Sequence, residues 1–95
     1  MNIKELHAQE KTVSFIPLAK YELENASAIQ ILQGGKLKEH ITKTKALLIC
    51  VQGEVIFENE NGIIEKLIPG DYVHIEPMVK HWVEGIIESQ LLLIK

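Results

Sequence analysis

From Ser27 to Ile94 the chain is cut into short runs by residues that turn a backbone, and that punctuation limits its fold more than any other feature. The runs are Ser27 to Leu32, Leu37 to Ile41, Ala46 to Val51, Glu54 to Glu58, Ile63 to Ile68, Tyr72 to Ile75, Lys80 to Val83 and Leu91 to Ile94. Gly34-Gly35, Gly53, Asn61-Gly62, Pro69-Gly70 and Pro77 separate them, each supplying the positive or fixed φ that a tight reversal needs. Strands this short and this regularly spaced predict an all-β sandwich or barrel. Ahead of them, Met1 to Glu10 sets Ile3, Leu6 and His7 at helical spacing, which suits a short helix or an arm lying against one end of the domain. Val13, Phe15 and Pro17 then alternate, and the proline restricts that segment to an edge strand or its end.

Two turns carry their own register. A two-residue Asn61-Gly62 hairpin would face Glu58 with Glu65, and like charges directly opposite are unfavourable. A three-residue loop of Glu60, Asn61 and Gly62 puts Phe57 opposite Glu65 instead and is preferred. Ile68-Pro69-Gly70-Asp71 has the proline and glycine of a type II turn, so a new strand is expected from Tyr72. Several strands are apolar on both faces, most plainly Ala46 to Val51, whereas a strand with one wet face should alternate. In a chain this small a second subunit is the economical cover, and a homodimer is expected.

Ninety-five residues, 46% hydrophobic and 24% charged, are expected to make one ordinary soluble domain over residues 1–95, with residues 1–10 as helix or arm. The net charge of −3 gives the electrostatic term of nucleic-acid binding no source, and no nucleic-acid partner is expected. Lys36, Lys38, Lys43 and Lys45 cluster around His40, where alternating lysines suit a solvated face or a guarded sheet edge. The apolar runs are too short to span a bilayer, the first residues lack a signal-peptide core, and the one cysteine is compatible with a reducing cytoplasm. A cytoplasmic location without membrane attachment is the expectation.

The stretch from Gly34 to Gly53, GGKLKEHITKTKALLICVQG, resembles the first motif of the cupin superfamily, G-x5-H-x-H-x3,4-E-x6-G, through Gly34, His40 and Gly53. The second motif, G-x5-P-x-G-x2-H-x3-N, is matched loosely by Gly62, the Pro69-Gly70-Asp71 turn and His81, without its asparagine. The resemblance covers about Ile29 to Val83 and implies a small antiparallel double-stranded β-helix, or jelly-roll barrel. It also implies a site at one end of the barrel, where such proteins hold a metal with three histidines and a glutamate. Only His40 and His81 carry over. Thr42 stands at the second histidine and Ala46 at the glutamate.

A catalytic metal centre generally keeps three protein ligands and an open position, so two imidazoles fall short of one. Gln30, Gln33, Glu76 or His74 are the other donors near the same rim, although strand alternation sets Tyr72 and His74 on one face and the core residues Val73 and Ile75 on the other. Cys50 lies inside an apolar run and reads as an inert buried thiol rather than a nucleophile. Trp82, beside His81, points to the opposite face and suits a partner subunit or helix, while Glu54 and Asp71 beside glycines are turn residues. No nucleophile elbow, phosphate-binding loop or calcium loop is present. The expected function is therefore binding of a small polar or anionic molecule in a mouth framed by His40, Thr42 and His81. The alternatives are a metal-dependent oxygenase, isomerase or lyase with a substituted ligand set for Zn, Ni, Fe or Mn, and a non-catalytic scaffold.

Overall fold

The computed structural model describes residues 1–20 and 24–95. Nine strands follow one another among the described residues: β1 Val13–Lys20, β2 Asn25–Ile31, β3 Lys36–His40, β4 Ala46–Gln52, β5 Val55–Asn59, β6 Ile64–Leu67, β7 Tyr72–Ile75, β8 His81–Gly85 and β9 Ser89–Ile94. They form a five-stranded sheet, β1-β2-β9-β4-β7, and a four-stranded sheet, β3-β8-β5-β6, with every pairing antiparallel. This is the all-β, double-stranded barrel that the turn spacing and the motifs imply. No helix among the described residues is long and apolar enough to cross a membrane.

Alternation along the strands builds the core. On β4, Ala46, Leu48 and Cys50 face inward, where they meet Ile29 and Ile31 of β2, Val55 and Phe57 of β5, Val83 of β8 and Leu91 of β9 in one cluster. Each fully buried aliphatic or aromatic side chain of this kind stabilises the fold by roughly 1.5–3 kcal/mol relative to exposure. The outward residues of β4, Leu47 and Ile49, are only half-buried, as are Leu92 and Ile94 beside them on β9. β1 is an edge strand as Pro17 requires, and its register with β2 slips between Pro17 and Ala19. β3 is the edge of the other sheet, and Lys36 and Lys38 are exposed along it, a charged guard against edge-to-edge pairing.

The turn chemistry is as read. Phe57 faces Glu65, Asn59 N donates to the Ile63 carbonyl at 3.1 Å, and Gly62 has a φ of 85°, so the β5–β6 loop has three residues. Asp71 N donates to the Ile68 carbonyl at 2.9 Å and closes the Pro69-Gly70 turn. Gly53, where β4 hands over to β5, has a φ of 94°, and a Cβ there would fall 2.5 Å from the Glu88 carbonyl oxygen. Only glycine fits that approach.

Two expected elements are shorter than their sequence pattern. The helical spacing of Ile3, Leu6 and His7 produces one 3-10 turn, Ile3–Leu6, capped by Asn2, whose Oδ1 accepts from Lys4 N at 2.9 Å. None of its four residues is buried, so no apolar face is there to sustain a longer helix. The strand expected to reach Ile41 ends at His40. Trp82 faces away from the core as expected, and its indole N–H donates to Glu58 Oε2 of the neighbouring strand at 3.1 Å.

Candidate functional site

His40 and His81 are register partners at the end of the β3–β8 pair. On β8 the inward positions are His81, Val83 and Gly85, so His81 belongs to the core face and is 2% exposed. On β3 both Leu37 and His40 pair with inward residues although three positions separate them. The register shift between them makes this possible, because an extra residue in a bulge restores the parity that strict alternation would break. The two rings meet edge to face, with centroids 4.1 Å apart at 60°, and the Phe57 ring stacks behind His81 at 5.8 Å and 28°.

Each imidazole is tied down by a backbone carbonyl. His40 Nδ1 lies 2.9 Å from the Lys38 oxygen and His81 Nδ1 lies 3.3 Å from the Val79 oxygen. A carbonyl oxygen can only accept, so Nδ1 carries the hydrogen in both rings and, in the neutral form, both Nε2 atoms present lone pairs. Burial pushes His81 below the ordinary histidine range; the Val79 carbonyl opposes this, and positive charge on a neighbouring protonated His40 or on Lys95 reinforces it. Burial therefore favours the neutral, acceptor form of His81.

Thr42 is the third residue of the expected frame. It lies beyond the end of β3, so strand alternation does not orient it, yet it is buried and its Oγ1 has no hydrogen-bond partner among the described residues. Its carbonyl accepts from Met78 N at 2.8 Å, which ties the segment after His40 to the segment before His81. Met78 has a φ of 62°, and it is the one non-glycine residue with positive φ among those described. For a long side chain that conformation is a strained one. Neither the Phe57 backing nor the two carbonyl tethers had a sequence signal, since a carbonyl is common to every residue; Met78 had half of one, following a proline in a turn.

The other candidate donors lie elsewhere. Ala46 is buried in the core opposite Ile75 and offers no donor. His74 faces outward against Tyr72, Gln30 is on the outer face bonded to Gln90, Gln33 is exposed in a turn, and Glu76 is 3.9 Å from Lys45 at the surface. Among the described residues no three histidine, cysteine, aspartate or glutamate side chains are grouped to hold a metal. The donor set does not fit a catalytic metal centre. Cys50 is fully buried, its thiol raised by burial and by the charge of Asp71 against an opposing hydrogen bond with the Gln52 backbone, which suits an inert cysteine. Glu54 pairs with Lys66 at 3.5 Å, and Asp71 Oδ2 accepts from Ile68 N at 3.0 Å, so both act in turns. At the rim, Lys80 and Glu39, neighbours of the two histidines, lie 3.6 Å apart and neutralise one another.

Neither a family model nor a curated protein matches the sequence. Solved structures do. A cupin superfamily protein from Desulfitobacterium hafniense superposes with a TM-score of 0.86 over 98% of this chain and 84% of its own, at 20% identity. The chain has the cupin fold. A second relative in shape, an RmlC-like cupin family protein from Methanocaldococcus jannaschii described as a double-stranded β-helix, gives 0.79 over 90% of this chain and 80% of its own at 21% identity. An RmlC-like cupin from Shewanella frigidimarina gives 0.80 over 87% and 74% at 20% identity.

Proposed function

We propose that this cupin-fold protein binds a small, uncharged polar molecule at the barrel mouth framed by His40, Thr42 and His81, as a binding module rather than a metal enzyme. The observation that carries the reading is the pair of carbonyl-tethered imidazoles, which sets two Nε2 acceptors side by side. Two acceptors suit a ligand with hydroxyl or amine donors, and the unpartnered Thr42 hydroxyl adds a third group that can donate or accept. Of the two ligand classes expected from sequence, polar and anionic, the polar one is favoured. An anion would need protonated imidazoles, which the burial of His81 resists, and Lys80, next to His81 in the chain, is already paired with Glu39.

The test is a calorimetric screen of the native protein against small polyols and amino alcohols, with matching anions as the comparison. Saturable binding of a hydroxylated compound, lost in His81→Ala and weakened by about ten-fold in Thr42→Val through one missing hydrogen bond, is the expected outcome. Saturable binding of none would leave the barrel as a scaffold, and binding that survives His81→Ala would place the ligand outside the histidine mouth.

A further inference from the structure

A second polar centre lies on the outside of the five-stranded sheet, away from the barrel mouth. Ser14 of β1 faces Gln30 of β2, and Gln30 faces Gln90 of β9, so three polar residues stand in one cross-strand row. The next outward row is apolar: Ile16, Ala28, Leu92 and Ile49. All three polar residues are buried, and the cover comes from the N-terminal arm, in which His7 is the one buried residue of the first twelve. His7 Nδ1 lies 2.7 Å from Ser14 Oγ, and Gln90 Nε2 donates to Gln30 Oε1 at 2.8 Å. Between arm and sheet is a cavity of about 610 Å³ with His7, Gln30, Lys4, Glu5, Leu32 and Glu88 on its walls.

Two buried atoms of this system have no partner among the described residues: His7 Nε2, on a residue that lines the cavity, and Gln90 Oε1, on a residue that does not. Leaving a buried polar atom unpaired costs on the order of 1–3 kcal/mol, so the His7 nitrogen on a cavity-lining residue marks a group that a ligand would complete. From the cavity, the polar row and the unpaired His7 nitrogen we infer that the space under the arm is a binding site for a small neutral carboxamide.

The row itself specifies that class. The Gln90-to-Gln30 contact is a rung of an amide ladder, N–H to O=C, and a ligand carboxamide extends it with the same geometry. The amino group of Gln30 is the donor for the ligand carbonyl. His7 can serve the ligand in either sense, because the Ser14 hydroxyl can donate to Nδ1 or accept from it and so lets Nε2 carry a hydrogen or a lone pair. Charge argues against an anion. Lys4 and Glu88 pair at 3.3 Å, Glu5 is left over, and His7 is kept towards neutral by burial, so the wall bears one uncompensated negative charge. The site shares no residue with the barrel mouth, and either can fail without the other.

The experiment is a two-dimensional NMR titration of the full chain at neutral pH with nicotinamide, a primary carboxamide small enough for the cavity, and with nicotinate, its anionic counterpart. Nicotinamide should give saturable shifts centred on His7 and on the side-chain amide signals of Gln30 and Gln90. Nicotinate should bind about ten-fold more weakly or not at all. His7→Ala should abolish the response, and His81→Ala should leave it intact. Should His7→Ala fail to fold, Leu32→Trp, which fills the space from one wall and keeps every hydrogen bond of the row, carries the same expectation. Shifts that never saturate, equal responses to the two probes, or a response that survives Leu32→Trp or His7→Ala would show a water-filled gap and overturn the assignment.

Discussion

His81 and His7 are both buried histidines whose affinity for a proton is lowered by burial, and the consequence for stability has one sign. The unfolded chain takes up protons as pH falls through the ordinary histidine value of 6.5, while the folded chain does so only at lower pH. Below that value the unfolded state holds more protons, and stability falls with pH until the folded-state values are passed. Denaturant titrations at stepped pH should therefore show full stability above neutrality and a loss that begins near 6.5. His81→Phe should flatten the slope, since its ring can stack on Phe57 without titrating. A slope of opposite sign, or one unchanged in the variant, would mean that His81 is not held neutral.

At the scale of elements, the strands were legible because periodicity and turn chemistry agreed. The β5–β6 hairpin register followed from one repulsion avoided, and the Pro69-Gly70 turn from two residues. What misled was local: β9 starts at Ser89, two residues before its apolar run, because Ser89 and Gln90 are polar yet buried, bonded to Glu54 and Gln30. The site was half legible. His40 and His81 meet as the motifs imply, but their tethers are carbonyls, and the β3 bulge that turns His40 inward has no residue signature. The two missing donors lead to a direct prediction. Thr42→His with Ala46→Glu should raise zinc affinity in calorimetry by several kcal/mol, on the order of what added ligands supply, and His81→Ala should remove the gain. Equal affinity before and after would mean that Thr42 and Ala46 do not flank the imidazole pair.

For the molecule as a whole, the outer face of the five-stranded sheet is the unfinished surface. Leu47, Ile49, Leu92 and Ile94 are half-buried there, Tyr72 is 60% exposed, and the N-terminal arm covers only the Ser14–Gln30–Gln90 end. A second copy pairing this face with its own equivalent would bury it isologously. Sedimentation should give a dimer, and Leu92→Glu, which sets a charge at the centre of the face, should give a monomer with the same far-ultraviolet spectrum. A wild-type monomer mass independent of concentration would contradict the expectation.

The binding role proposed for the barrel requires two neutral imidazoles that each hold their hydrogen on Nδ1 and offer Nε2 to a ligand. Long-range proton–nitrogen NMR of the histidine rings, above neutral pH, reads that directly. His40 and His81 should both show a protonated Nδ1 and a bare Nε2, with the Nε2 signals moving when a hydroxylated ligand binds. Hydrogen on Nε2 in both rings would contradict the claim, because the mouth would then present donors where two acceptors are required.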